Sequence, residues 1–84
     1  SVPGIQIAHA GRKASCRRPW DNKGSFMTPE EGGWQIVAPS AIPFYPENPA
    51  PHALDKHAIK QIQADFAAAA KRAVMAGFKV IELH

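Results

Sequence analysis

Cysteine is nearly absent from this 84-residue chain: Cys16 stands alone. No internal disulfide can therefore staple the fold, and no cysteine pair offers a zinc knuckle. His52, His57 and His84 have no recognisable metal spacing, so no metal centre is expected. A free thiol fits a reducing compartment, and a cytoplasmic location is the expectation. Long apolar runs are missing too. None approaches the ~20 residues a helix needs to cross a bilayer, and the opening residues lack the basic start and long apolar core of a signal peptide. Neither sign of charge dominates. The formal charge is +3, with the excess in Arg12, Lys13, Arg17 and Arg18, a cluster that could attract phosphate. With no aromatic-interleaved strand pair, no Cys/His finger and no basic recognition helix, a solvated or internally paired cluster is the simpler reading, and nucleic-acid binding is not expected.

What is present is a sequence of clear elements around a long irregular middle. Gly4 to Ala8 is short and rich in β-branched residues, which predicts a strand with Ile5 and Ile7 on one face and Gln6 and Ala8 on the other. Residues 9–54 hold all of the chain's eight prolines but Pro3. A connection far longer than the ordinary ~4 to 6 residues is usually functional or disordered; here Trp20, Phe26, Trp34, Phe44 and Tyr45 favour order. Within it Gly32-Gly33 marks a turn, and Trp34 to Val37 reads as a short strand stopped by Pro39. Asp55 to Ala76 predicts a helix, with Asp55 as N-cap and Gly77 just past its end. Ile59, Ile62, Phe66, Ala69, Ala70 and Ala73 make its apolar face. Phe78 to His84 predicts a second strand.

Strand, long loop, helix, strand is the order of a βαβ unit, hence of a parallel sheet. Parallel sheets need cover on both faces, and one helix covers only one. A chain this short also hides only about 60 to 65% of its unfolded surface. Both ends abut strands directly. The expectation is an internal piece of a larger α/β domain whose neighbours complete the sheet.

Ligands of parallel-strand folds meet the C-terminal ends of the strands. The polar residues there are Gln6 and His9 after the first strand and Glu82 and His84 on the second. Gln6 is either a core amide satisfied by its neighbours or a group facing the edge of a planar heterocycle such as a flavin pyrimidine. His84 at a strand end can donate to an oxygen on which negative charge develops. Glu82 alternates with His84 and shares its face; a carboxylate there needs a partner, expected on a strand outside this chain. Ser40 lacks the glycine-flanked elbow of a nucleophile, and Cys16 lies among basic residues that would activate it if it is exposed.

The segment Gly4-Ile5-Gln6-Ile7-Ala8-His9-Ala10-Gly11-Arg12-Lys13-Ala14 resembles the third-strand motif of the Old Yellow Enzyme family of FMN-dependent ene reductases. The likeness is to its xenobiotic reductase and thermophilic-like branch. Three blocks agree in order: Trp34 to Ala41 with the family's loop of tryptophan followed by Ala-Pro-Ser-Ala, Ile59 to Gly77 with its helix, and Val80 to His84 with the start of its fourth-strand motif. The resemblance implies a fragment of a (β/α)8 TIM barrel, with 9–54 as an active-site-side loop and 55–76 as the crossover helix of a single FMN-binding domain. It implies that Gln6 hydrogen-bonds the flavin pyrimidine and that His84 is the first of two histidines gripping the substrate oxygen. His9 and Arg12 would shape the loop, Arg12 by pairing an internal carboxylate; Cys16 inherits no role. The implied activity is NAD(P)H-dependent reduction, through FMN, of the activated C=C bond of an α,β-unsaturated carbonyl or related xenobiotic. The partners would be the rest of the barrel and the small-molecule substrate, with a homo-oligomer left open. The 84 residues alone are expected to be inactive. A dienoyl-CoA reductase or amine dehydrogenase type on the same barrel, and an ordered non-catalytic element that needs partner packing, are the alternatives.

Overall fold

The computed structural model describes residues 1–84 throughout and divides them into two compact units, Ser1–His9 with Asp55–His84, and Ala10–Leu54.

In the first unit, β1 (Gly4–Ile7) pairs in parallel with β4 (Val80–Leu83), and α1 (Lys56–Met75) connects back to β4. The register sets Ile5 beside Ile81, Gln6 beside Glu82 and Ile7 beside Leu83. His84 N–H donates to the Ile7 carbonyl and His9 N–H to the His84 carbonyl, which carries the ladder one step past the strands. α1 packs on β1. Ile5, Ile7 and Ile81 are half-buried, as are Ala58, Ile62, Phe66, Ala69 and Ala70, and Ala73 is buried. Small alanines let the helix axis approach the sheet, which is how this apolar face closes on so few side chains.

The helix ends follow from their residues. The Asp55 carboxylate accepts from Ala58 N–H at 2.7 Å, capping an otherwise unpaired donor. At the other end Gly77 takes φ 103°, Phe78 N–H bonds the Ala73 carbonyl and Gly77 N–H the Val74 carbonyl. This is the paired closure of a left-handed glycine cap.

Ile59, expected on the apolar face, is 39% exposed. The reason is length. Twenty helical residues run about 30 Å at 1.5 Å each, whereas a four-residue strand runs about 13 Å, so the first turns of α1 overhang the sheet. The sheet face away from α1 has no cover: Val80 is 56% exposed, and Gln6 and Glu82 are exposed beside it. The architecture is a partial α/β fold of alternating strand and helix, consistent with a fragment of a larger barrel-like domain, and it is not itself a closed barrel.

The second unit is held by backbone pairing and a few polar side chains. β2 (Val37–Ala38) pairs in parallel with β3 (His52–Ala53). The strand expected over Trp34 to Val37 thus begins at its last residue. Ile36, although outside the strand, accepts from His52 N–H at 2.9 Å, and Leu54 N–H reaches Ala38 at the same distance. Ile36, Ala38 and Pro51 are the buried apolar residues of this unit. Single turns of 3-10 helix at Gly11–Lys13, Asn22–Gly24 and Pro29–Glu31 and an antiparallel bridge between Cys16 and Phe26 order the rest.

Ser15 is the polar hub of this unit. It is 2% exposed and sits at φ 61°, a conformation uncommon outside glycine. Its Oγ donates to the Met27 carbonyl at 2.8 Å and accepts from Trp34 N–H at 3.0 Å. Gly33 lies against it so closely that any Cβ there would overlap the Met27 carbonyl and Ser15 Oγ.

Candidate functional site

Gln6, Glu82 and His84 come together on the uncovered face at the C-terminal ends of β1 and β4. The period of two turns Ile5 and Ile7 toward α1 and leaves Gln6 on the other side. Parallel register then sets Glu82 beside it. Gln6 Nε2 donates to Glu82 Oε1 at 3.0 Å, and the same oxygen lies 4.0 Å from His84 Nδ1. Within these residues the Glu82 carboxylate meets Gln6 and His84 of its own sheet. The His84 and Glu82 side chains are 70% and 63% exposed, so their attraction is screened and weak within these residues.

The chemistry of this set suits a planar, hydrogen-bonding ligand. A carboxamide carries two N–H donors and one acceptor oxygen. With one N–H given to Glu82, Gln6 retains an N–H and its carbonyl for the donor and acceptor edge of a heterocycle such as a flavin pyrimidine. His84 has its Nδ1 toward Glu82, which leaves Nε2 for a second ligand.

His9 follows β1, and its backbone continues the pairing with His84. Arg12, in the other unit, does not pair a carboxylate as expected. Its guanidinium donates to the Ile42 carbonyl at 2.6 Å and to Ser40 Oγ at 3.1 Å. The five guanidinium donors in a rigid fork suit a loop whose carbonyls need partners, and the backbone around Pro39 and Pro43 offers them. Arg12 thus contacts carbonyl and hydroxyl oxygens, and Ser40 serves there as an acceptor.

The remaining basic residues are also engaged within their unit. Arg17 pairs Glu31 and donates to the Phe26 carbonyl at 2.7 Å. Arg18 pairs Asp21 at 2.5 Å, and Lys13 stands 4.7 Å from the Phe44 ring centre. Glu31 also accepts from the Thr28 backbone N–H and hydroxyl. These two bonds, reinforced by Arg17, hold its carboxyl below the ordinary value of 4.5 against the opposing effect of partial burial. Cys16 is exposed, and its thiol approaches the Lys13 carbonyl at 3.2 Å. No three His, Cys, Asp or Glu side chains converge as a metal-binding group, and no helix is long and apolar enough to cross a membrane.

An open apolar hollow of about 570 Å³ lies under the overhang of α1, lined by Ile62, Phe66, Ala70, Leu83 and His84 among others. Apart from His84 it is lined by the helix and by the helix-facing side of β4. Gln6 and Glu82 point away from it, so it is packing surface and not the polar site.

Sequence reasoning placed Glu82 on the face of His84 but missed its contact with Gln6, and it missed Ser15 as the buried hub of the loop unit. Alternation places Glu82 and His84 on one face, but the setting of Gln6 beside Glu82 depends on how the crossover helix seats the second strand. For Ser15, Gly32-Gly33 marks the turn and nothing local signals what it packs against.

A parallel strand pair joined by a helix, with polar side chains gathered at its C-terminal ends, is a partial α/β fold consistent with a fragment of a larger barrel-like domain. The whole of residues 1–84 matches the NADH:flavin oxidoreductase / NADH oxidase family, and the chain belongs to that family. It is 54% identical over 84 residues to an NADH:flavin oxidoreductase of Gibberella zeae, covering 96% of this chain and 20% of that protein. It is 51% identical over 81 residues to an NADPH dehydrogenase of Listeria monocytogenes, with 96% of this chain and 19% of the relative covered. An NADPH dehydrogenase of Geobacillus thermodenitrificans is 41% identical over 81 residues, with the same coverage. The chain therefore spans about a fifth of the length of the curated relatives it matches.

Proposed function

We propose that these residues form part of an FMN-dependent NAD(P)H oxidoreductase of the Old Yellow Enzyme type, in which Gln6 binds the flavin pyrimidine and His84 binds the substrate oxygen. The observation that carries this reading is the meeting of Gln6, Glu82 and His84 at the C-terminal ends of two parallel strands, on the sheet face away from α1. Family membership and the printed activities of the relatives, NADH:flavin oxidoreductase and NADPH dehydrogenase, support a flavin and a nicotinamide reductant.

FMN bound there would supply hydride transfer between NAD(P)H and an activated C=C bond. Gln6 orients the ring by offering its carbonyl and one N–H to the pyrimidine edge. His84 donates from Nε2 to the carbonyl oxygen of the substrate, where negative charge grows as the β-carbon accepts hydride. An acid outside these residues then protonates the α-carbon. The face that carries Gln6, Glu82 and the exposed Val80 would turn toward the remaining strands of the barrel, whose cover excludes water from the site. A cytoplasmic setting is part of the proposal, in keeping with the exposed free thiol of Cys16.

Two binding measurements test this reading in a barrel-length protein containing residues 1–84. Gln6→Ala should weaken FMN binding by about tenfold, the loss of one to two hydrogen bonds. His84→Ala should leave FMN binding nearly unchanged and raise the KM for an α,β-unsaturated ketone. An unaltered flavin affinity in Gln6→Ala would remove Gln6 from the flavin site.

A further inference from the structure

The role of Glu82 follows from where its carboxylate stands. One oxygen, Oε1, accepts from Gln6 Nε2 at 3.0 Å and lies 4.0 Å from His84 Nδ1. The Gln6 contact joins β1 to β4 on the uncovered face, where the backbone ladder fixes Gln6 beside Glu82. The third member of the set, His84, follows just past the end of β4. A carboxamide can turn end for end about its terminal bond, exchanging donor for acceptor. An acceptor-only carboxylate removes that choice, because it can receive only N–H. The imidazole has a similar ambiguity, since either nitrogen can face the ligand.

We propose that Glu82 is a positioning residue that selects one orientation of each neighbour. It holds Gln6 with Nε2 toward β4 and the carbonyl oxygen outward, and it draws Nδ1 of His84 inward so that Nε2 faces the ligand. This rests on the reading of Gln6 and His84 as flavin and substrate contacts and adds the residue that sets both. Glu82 touches neither ligand; it acts through the two residues that do.

The two contacts differ in what they require of Glu82, and this separates them experimentally. The Gln6 contact needs a hydrogen-bond partner, which glutamine also supplies, although by leaving both orientations of Gln6 open it costs up to about twofold in the population that fits the ligand. The His84 contact needs a group that only accepts, because the amide of a glutamine can turn its own N–H toward Nδ1 and compete for the ring's orientation.

The test uses Glu82→Gln and Glu82→Ala in a barrel-length protein containing residues 1–84, with FMN titrated by fluorescence quenching and steady-state kinetics on an α,β-unsaturated ketone. Glu82→Ala should weaken FMN binding about three- to tenfold, the effect of one hydrogen bond, and should also raise KM. Glu82→Gln should keep FMN affinity within about twofold while KM rises by about two- to fivefold, the scale of a screened charged contact. Nitrogen NMR of the flavin-free protein gives a readout independent of turnover: the Gln6 side-chain amide should be protected from solvent exchange in wild type and Glu82→Gln and should lose protection in Glu82→Ala. Equal protection in all three proteins, or FMN affinity unchanged by Glu82→Ala, would overturn the proposal. If Gln6→Ala weakens FMN binding while Glu82→Ala does not, the flavin role of Gln6 stands and the positioning role of Glu82 falls. If neither does, the site reading itself has failed.

Discussion

Glu31 shows how a single side chain ties down a turn. Its carboxylate accepts from the backbone N–H and hydroxyl of Thr28 and pairs with Arg17, so its proton affinity is lowered in the folded chain. A group whose folded pKa is depressed stabilises the fold fully above its unfolded value, and that contribution is lost as pH falls through the folded value. The Thr28–Glu31 turn should therefore be unaffected by pH above the ordinary carboxylate value of 4.5 and should loosen below it. Amide exchange at Thr28 and Glu31 measured across that range checks this, and Glu31→Gln should flatten the dependence. Gly33→Ala is the severe change in the same region, because the new Cβ meets a backbone carbonyl and the buried Ser15 hydroxyl. Overpacking of this kind costs about 1 to 3 kcal/mol, measurable as a lower urea midpoint. Gly32-Gly33 announces a turn in the sequence, but the need for glycine at 33 arises from Met27 and Ser15, which no local pattern connects to it.

At the scale of elements, the helix was the most legible and the short strands the least. Asp55, the Ile62–Phe66–Ala70–Ala73 stripe and Gly77 each specify part of α1 by local chemistry, and the structure places its cap and its left-handed exit as expected. Asp55→Ala should accordingly cost about 1 kcal/mol of helix stability, read from the urea midpoint. β3, by contrast, is two residues long and lies between Pro51 and the helix cap. It exists because His52 and Leu54 N–H find the carbonyls of Ile36 and Ala38, a pairing of residues 16 apart in sequence that composition cannot reveal. The same holds at the candidate site. Alternation is local and gave Glu82 and His84 a shared face, whereas the Gln6–Glu82 contact depends on register between strands separated by the whole loop and helix.

For the whole molecule, the buried apolar set amounts to Ile36, Ala38, Pro51 and Ala73, while Val2, Val80 and Leu83 stand more than half exposed around the small sheet. Parallel strands buried on one face alone are rare among stable folds, and this one leaves its other face and the overhang of α1 for neighbours to cover. A polypeptide confined to residues 1–84 should therefore bind a hydrophobic dye and unfold without a sharp transition. Within a complete barrel the same surfaces would be interior, and the Gln6–Glu82–His84 face would open onto the ligand. The most direct measurement of that claim is the anaerobic reoxidation of reduced FMN by cyclohex-2-enone in a barrel-length protein containing these residues, with His84→Ala as the comparison. Loss of a donor to a developing oxyanion costs about a hundredfold or more in rate, and a slowing of that order with FMN still bound is the expected result. Reoxidation by the enone at the wild-type rate in His84→Ala, or none in the wild-type protein, would contradict it.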